Sequence, residues 1–205
     1  MRRLCLVAVV LTSVAAAAPL ALSAAPPNLI LNGGFERPVV ASGSYKVFST
    51  GQHFLGWKVV GKPGNVAPIS GAFTENGFTF GAAAGKQWLD LTGLNRTATG
   101  VEQTTRTVKG TCYVLRFSVG NIVDPSGTFG TTSRVIVKLN GVQRFVVSKP
   151  INGGTAQAWQ AAKFTFAAPS ANTRIAFLNG DPATDNSNGL DAISVTRKAL
   201  QKPCA

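Results

Sequence analysis

The sequence predicts an all-β protein, a β-sandwich of jelly-roll type, and three observations carry that expectation. From residue 28 onward the chain breaks into short runs in which apolar and polar residues alternate, as strands with one buried face require. Gly, Pro, Asn and Ser separate the runs, and with 22 glycines in 205 residues almost no stretch keeps helical spacing for three turns. About ten such runs at this spacing suit two packed sheets.

Arg2 and Arg3 precede an apolar run from Leu4 to Leu22, and Ser23, Ala24 and Ala25 offer a small-residue cleavage site, so residues 1–25 read as a signal peptide. The run is Ala-rich with no basic stop-transfer cluster behind it, which favours export over a membrane anchor. No later segment is apolar enough to span a bilayer. The mature chain, 26–205, is expected to form one domain around one core. Its expected strands are 29–31, 56–60, 78–80, 88–91, 101–105, 112–119, 134–139, 142–147, 163–167, 173–177 and 190–196. In 112–119, Tyr113, Leu115, Phe117 and Val119 share one face; in 134–139, Val135, Val137 and Leu139 do. Asn140-Gly141 between 134–139 and 142–147 is a type I′ hairpin signal, because both residues accept positive φ. Val108-Lys109-Gly110 makes a looser turn, Asn152-Gly153-Gly154 a loop, and 181–189 a polar loop before the last strand. The first and last strands are expected to meet.

Export also sets the redox and charge context. Cys5 leaves with the signal, so Cys112 and Cys204 are expected to pair in an oxidising compartment. Such a bond closes a loop of about 90 residues and contributes roughly 4 kcal/mol on the chain-entropy model. The chain carries 20 Lys and Arg against 8 Asp and Glu, net +12, and loss of Arg2 and Arg3 lowers this to +10. That excess favours anionic surroundings such as uronate polymers or teichoic acids, or else serves solubility, since the cations are scattered.

Six motifs occur in order: Asn28-Leu29-Ile30-Leu31-Asn32-Gly33-Gly34-Phe35-Glu36, Gly56-Trp57-Lys58-Val59, Gly85-Lys86-Gln87-Trp88-Leu89-Asp90-Leu91, Gly100-Val101-Glu102-Gln103, the run from Tyr113 to Asn121, and Gly189-Leu190-Asp191. This series resembles the secreted cell-wall family catalogued as domain of unknown function 642, and the resemblance spans the mature chain. It implies a galactose-binding-domain-like jelly roll that binds cell-wall polysaccharide or wall-modifying enzymes. Plant members resemble two such domains in tandem; this chain has room for one and is similar to single-domain, bacterial-type relatives. In related jelly-roll modules, acidic residues matching Glu36 and Asp191 help hold a structural calcium with backbone carbonyls. The alternative for this pair is hydrogen bonding to backbone.

With Leu89 and Leu91 buried, alternation turns Trp88 and Asp90 outward. The tryptophan ring then offers a platform for a pyranose while Asp90 accepts from hydroxyls, or Trp88 packs beneath a loop such as 71–85. Arg116 and Lys138 also point outward and are expected to extend a basic face toward acidic glycan, or to be merely solvated. Trp57 reads as core. Simple counting sets Trp159 opposite Phe164 and Phe166, unless a bulge at Ala161 and Ala162 reverses it. Tyr45, Phe48, His53 and Phe54 lie in a long connection that either rims a site or covers the core.

No nucleophile elbow, zinc-protease motif or phosphate loop is present. A glycosidase needs two carboxylates about 5 to 10 Å apart, and Asp90 with Glu102 qualifies only if their strands are neighbours. The cations form no nucleic-acid motif. Asn95-Arg96-Thr97 is an N-glycosylation sequon for a eukaryotic host. The expected function is thus a non-catalytic extracellular module that recognises wall or capsular polysaccharide. The alternative is a structural or protein-interaction domain that binds a cell-wall enzyme or surface partner.

Overall fold

A computed structural model describes residues 25–122, 127–149, 154–198 and Cys204. The expected signal peptide therefore lies, apart from Ala25, outside the described residues. In chain order the strands are β1 (Phe48–Ser49), β2 (His53–Phe54), β3 (Trp57–Gly61), β4 (Asn65–Ser70), β5 (Thr74–Glu75), β6 (Phe78–Thr79) and β7 (Gln87–Asp90). They continue as β8 (Thr99–Arg106), β9 (Cys112–Asn121), β10 (Ser133–Leu139), β11 (Val142–Lys149), β12 (Ala158–Ala167), β13 (Asn172–Asn179) and β14 (Gly189–Arg197). Two six-stranded antiparallel sheets face each other, the first ordered β1-β4-β7-β14-β9-β12 and the second β11-β10-β13-β8-β3-β2; β5 and β6 form a separate hairpin. The architecture is an all-β sandwich of jelly-roll type.

Alternation fills the space between the sheets as the sequence requires. Leu115, Phe117 and Val119 from β9, Val135 and Val137 from β10, Ile175 and Phe177 from β13, and Leu89 from β7 are almost fully buried. Each such side chain contributes about 1.5 to 3 kcal/mol of transfer free energy. Trp57 is core, 1% exposed: its ring lies 5.4 Å from Phe35 and 6.2 Å from Phe177, and its Nε1 donates to the Asn32 carbonyl at 3.0 Å. The Asn140-Gly141 hairpin forms between β10 and β11 with φ of 49° and 87°. Cys112 and Cys204 are disulfide-bonded across a Cα–Cα distance of 5.5 Å.

Two local expectations change, and an open choice at Trp159 is decided in favour of simple counting. Residues 29–31 form no strand, although their segment does meet the last strand: Leu29 N donates to Val195 O at 2.8 Å and Ile193 N to Gly33 O at 2.9 Å. Toward the second sheet its carbonyls are satisfied by side chains, Gln103 Nε2 donating to Leu31 O and Thr105 Oγ1 to Leu29 O, so it bridges the two sheets instead of extending a ladder. Gly33 is required there because a Cβ would stand 2.0 Å from Ile193 O. The second change is β4, which the pattern hid because Pro68 interrupts it. Lys46 N donates to Pro68 O, so the missing N–H of Pro68 faces the β1 side, where no regular ladder continues. Finally, β12 keeps unbroken register with β9, so no bulge reverses Trp159 and it lies on the outer face opposite Gly120.

Candidate functional site

Strands β4 and β7 are buried along their whole length. A strand in a two-layer sandwich normally buries one face, so something covers the outer face of the first sheet here. The cover is the segment 71–86, which folds back over β4 and β7. Beneath it Ala67, Ile69, Phe80, Trp88, Ile122 and Phe129 form a second apolar cluster, with Phe73, Phe78 and Trp159 packed against it.

This corrects the expectation that Trp88 stands open as a platform. It does face away from the main core, yet it is 1% exposed, because Phe80 stacks over it at 6.3 Å and Trp159 meets it edge-on at 6.0 Å. Its Nε1 donates to Phe80 O at 2.9 Å, and Trp159 Nε1 donates to Gly81 O at 2.8 Å, so both indoles pin the covering segment. Trp159 lies flat on Gly120 and Gly189, where an added Cβ would stand 2.7 Å and 2.9 Å from its ring.

Two carboxylates clamp the far end of the same segment. Asp191 Oδ2 accepts from Ala83 N and Ala84 N at 2.9 Å each, and its Oδ1 accepts from Ala192 N. Glu36 Oε1 accepts from Lys86 N at 2.7 Å and Gln87 N at 3.1 Å. The pair does converge, flanking Gly34, and Asp191 is pushed up to about 7 by burial, with the Glu36 charge adding to the rise. A calcium ion needs six or more oxygen ligands. Here five backbone N–H groups point at the carboxylates instead, and among the described residues no three His, Cys, Asp or Glu side chains converge on a metal site. Both carboxylates thus make the hydrogen bonds to backbone that the alternative reading describes.

Beside the buried cluster a cleft of about 300 Å³ remains open on the same outer face. Its floor is Ala67 and Ile69 of β4 with Trp88 and Asp90 of β7. One end is walled by Phe73 and Phe80, with Tyr45 edge-on to Phe73 at 5.8 Å and 45% exposed at the mouth. The opposite end carries Leu94 and Arg96, both exposed, in a turn held by Leu94 N donating to Asn65 Oδ1. Phe129, 5.1 Å from Phe80, closes the β14 side together with Asn186 and Ser187. Asp90 is outward-facing as expected but not free for hydroxyls. Its Oδ1 accepts from Thr92 N, Thr92 Oγ1 and Asn188 N, and burial pushes its pKa up to about 6.

Arg116 and Lys138 are not brought together. Arg116, on β9, is exposed on the outer face of the first sheet opposite Lys163, whereas Lys138, on β10, lies on the outer face of the second sheet opposite Ala176. The connection from β9 to β10 crosses between the sheets, so the expected basic face is split by the core. Neither residue lines the cleft. Asp90 and Glu102 are divided the same way, Glu102 lying on β8 of the second sheet and ion-paired with Arg174 at 3.4 Å, so they cannot act on one bond. His53 and Phe54 border a wider cleft of about 590 Å³ at the β2–β3 edge, where Phe54 and Trp57 are buried and Leu55 is the exposed apolar residue.

A jelly-roll sandwich with an aromatic-walled cleft on one outer face defines the class. The family model described as a protein of unknown function, DUF642, matches residues 28–195, and the chain belongs to that family. No curated protein matches it. Among solved structures it is similar to a family 35 carbohydrate-binding module from Clostridium thermocellum, at 14% identity and TM-score 0.47 over 76% of this chain and 99% of that one. A family 16 carbohydrate-binding module is similar at 19% identity and TM-score 0.44, over 83% and 100% of the two chains. TmCBM61, solved in complex with beta-1,4-galactotriose, is similar at 15% identity and TM-score 0.43, over 84% and 99%. Among the described residues no helix is long and apolar enough to cross a membrane.

Proposed function

We propose that this protein is a non-catalytic, extracellular carbohydrate-binding module that holds wall or capsular glycan in the cleft above β4 and β7. The observation that carries the reading is the cleft itself, whose exposed Tyr45 and half-buried Phe73 give apolar ring surface beside the polar groups Glu75, Arg96 and Asn186. Sugar sites combine such walls with a few directional hydrogen-bond partners. The wider cleft at the β2–β3 edge exposes the His53 imidazole but no Phe, Tyr or Trp ring, since Phe54 and Trp57 there are buried.

Acidic polymers enter through the surface, not the cleft. Asp90, Asp185 and Asp191 are buried, while Arg96, Arg116, Arg134 and Lys163 are exposed, so the outside is more positive than the composition implies. That field draws the protein toward an anionic wall in a salt-sensitive way. Selective capture belongs to the cleft. A glycan array tests the reading: binding to a defined wall or capsular glycan supports it. Silence across the array, with a wall protein captured instead, overturns it in favour of a protein-interaction domain.

A further inference from the structure

We propose that the cleft takes the terminal residue of a neutral glycan chain, end-on, and does not hold an internal stretch; this rests on the carbohydrate-binding reading above. A site for an internal stretch must be open at two ends. Here the floor is only two adjacent strands wide, and side chains line it on three of its four sides. Phe73 and Phe80 wall the hairpin end, and at the opposite end the turn carrying Leu94 and Arg96, held by Leu94 N donating to Asn65 Oδ1, stands across the floor. The third wall is Phe129 with Asn186 and Ser187, and it is a braced structure. Asn186 Nδ2 donates to Thr128 O, Thr131 N and Thr132 N each donate to Asp185 Oδ2 at 3.1 Å, and Asp185 is buried. The remaining approach is past Tyr45, from the β1 edge and from above.

Size and charge select the occupant. At about 300 Å³ the cleft sits at the lower limit of small-molecule sites, which run from roughly 300 to 1,000 Å³, so it suits a single sugar unit better than an oligomer. Its charged lining is Glu75, Asp90 and Arg96, with no excess of cations to meet a uronate carboxylate. Sugar hydroxyls both donate and accept, so one neutral ring can give to Glu75 and receive from Arg96. An anionic ring would lie over the Asp90 carboxylate and near Glu75, two acidic groups against the single guanidinium of Arg96, and such a partly desolvated like-charge contact is unfavourable.

The test is calorimetric titration of the full mature chain with neutral ladders, mono- to hexasaccharides of β-1,4-galactose, β-1,4-glucose and β-1,4-xylose, alongside a galacturonate ladder. In one neutral series, affinity should change by less than about threefold from monomer to hexamer, with one protein bound per chain, and capping one terminus should reduce it by about tenfold or more. Affinity that climbs about tenfold or more with length, with several proteins per long chain, overturns end-on binding while leaving the carbohydrate reading intact. Preference for the galacturonate ladder overturns the neutral assignment. No binding in any ladder overturns both. Tyr45→Ala, at the open mouth, should weaken binding about tenfold without altering the melting temperature; unchanged affinity would put the site elsewhere.

Discussion

Asp90 gives its oxygens to Thr92 and to the Asn188 amide inside a buried pocket, and it is not the most perturbed carboxylate in the molecule. Burial pushes Asp90 up to about 6, Asp191 to about 7 and Asp181 to about 8, against 3.8 for the free side chain. Each folded-state value lies above the unfolded one, so the native state holds more protons than the unfolded chain between these limits. Their contribution to stability is full below about pH 4 and is lost as pH rises through 6, 7 and 8. The melting temperature should therefore fall from pH 5 to pH 8, and Asp90→Asn should flatten the lower part of that slope; a rise over this interval contradicts the assignment. Trp88 belongs to the same scale. Its ring is enclosed, so Trp88→Ala should cost about 3 to 5 kcal/mol of stability in a denaturant melt, as for a core residue. A sugar platform open to solvent would lose binding with little change in stability.

Segment 71–86 is the element that decides what the outer face can do. Glu36 and Asp191 clamp its end through four of its own or adjoining amides, and Trp159 pins it from below. Glu36→Ala should accelerate amide exchange at Lys86 and Gln87 and loosen the hairpin wall, while β9 and β14 keep their protection. Uniform exchange across the first sheet would show that the clamp is not local. The sequence made the orientation of Trp88 legible, because period-2 alternation with Leu89 and Leu91 settles which way a strand residue points. It left open whether the ring is a platform or packs beneath a loop such as 71–85, because a fold-back over a distant strand leaves no periodic trace; Phe78 and Phe80 read only as a short strand. Likewise Arg116 and Lys138 were correctly turned outward but joined in error, since nothing local in the β9–β10 connection says that it changes sheets.

At the scale of the whole molecule the six ordered motifs turn out to be architectural. Asn32 ties the chain by donating to Arg37 O and Leu55 O, Phe35 enters the core, and Gly120 and Gly189 make room for Trp159. Their recognition thus identified the fold well and, in Trp88 and Asp90, part of the cleft floor, whereas the walls come from Tyr45, Phe73, Arg96 and Phe129, which lie outside those motifs. The terminal carboxylates give a further whole-molecule expectation. A calcium ion bound only by the native state must raise its melting temperature, so with Glu36 and Asp191 already holding backbone amides, a chelator should leave the melt unchanged. A drop of several degrees would show that an ion belongs there. The central claim is that the cleft over β4 and β7 binds sugar. Its most direct test is titration of wild type and Tyr45→Ala with the best neutral saccharide from the ladders, alongside their melts. Binding by wild type that weakens about tenfold in the variant at equal melting temperature is the predicted result; equal affinity in both proteins would contradict it.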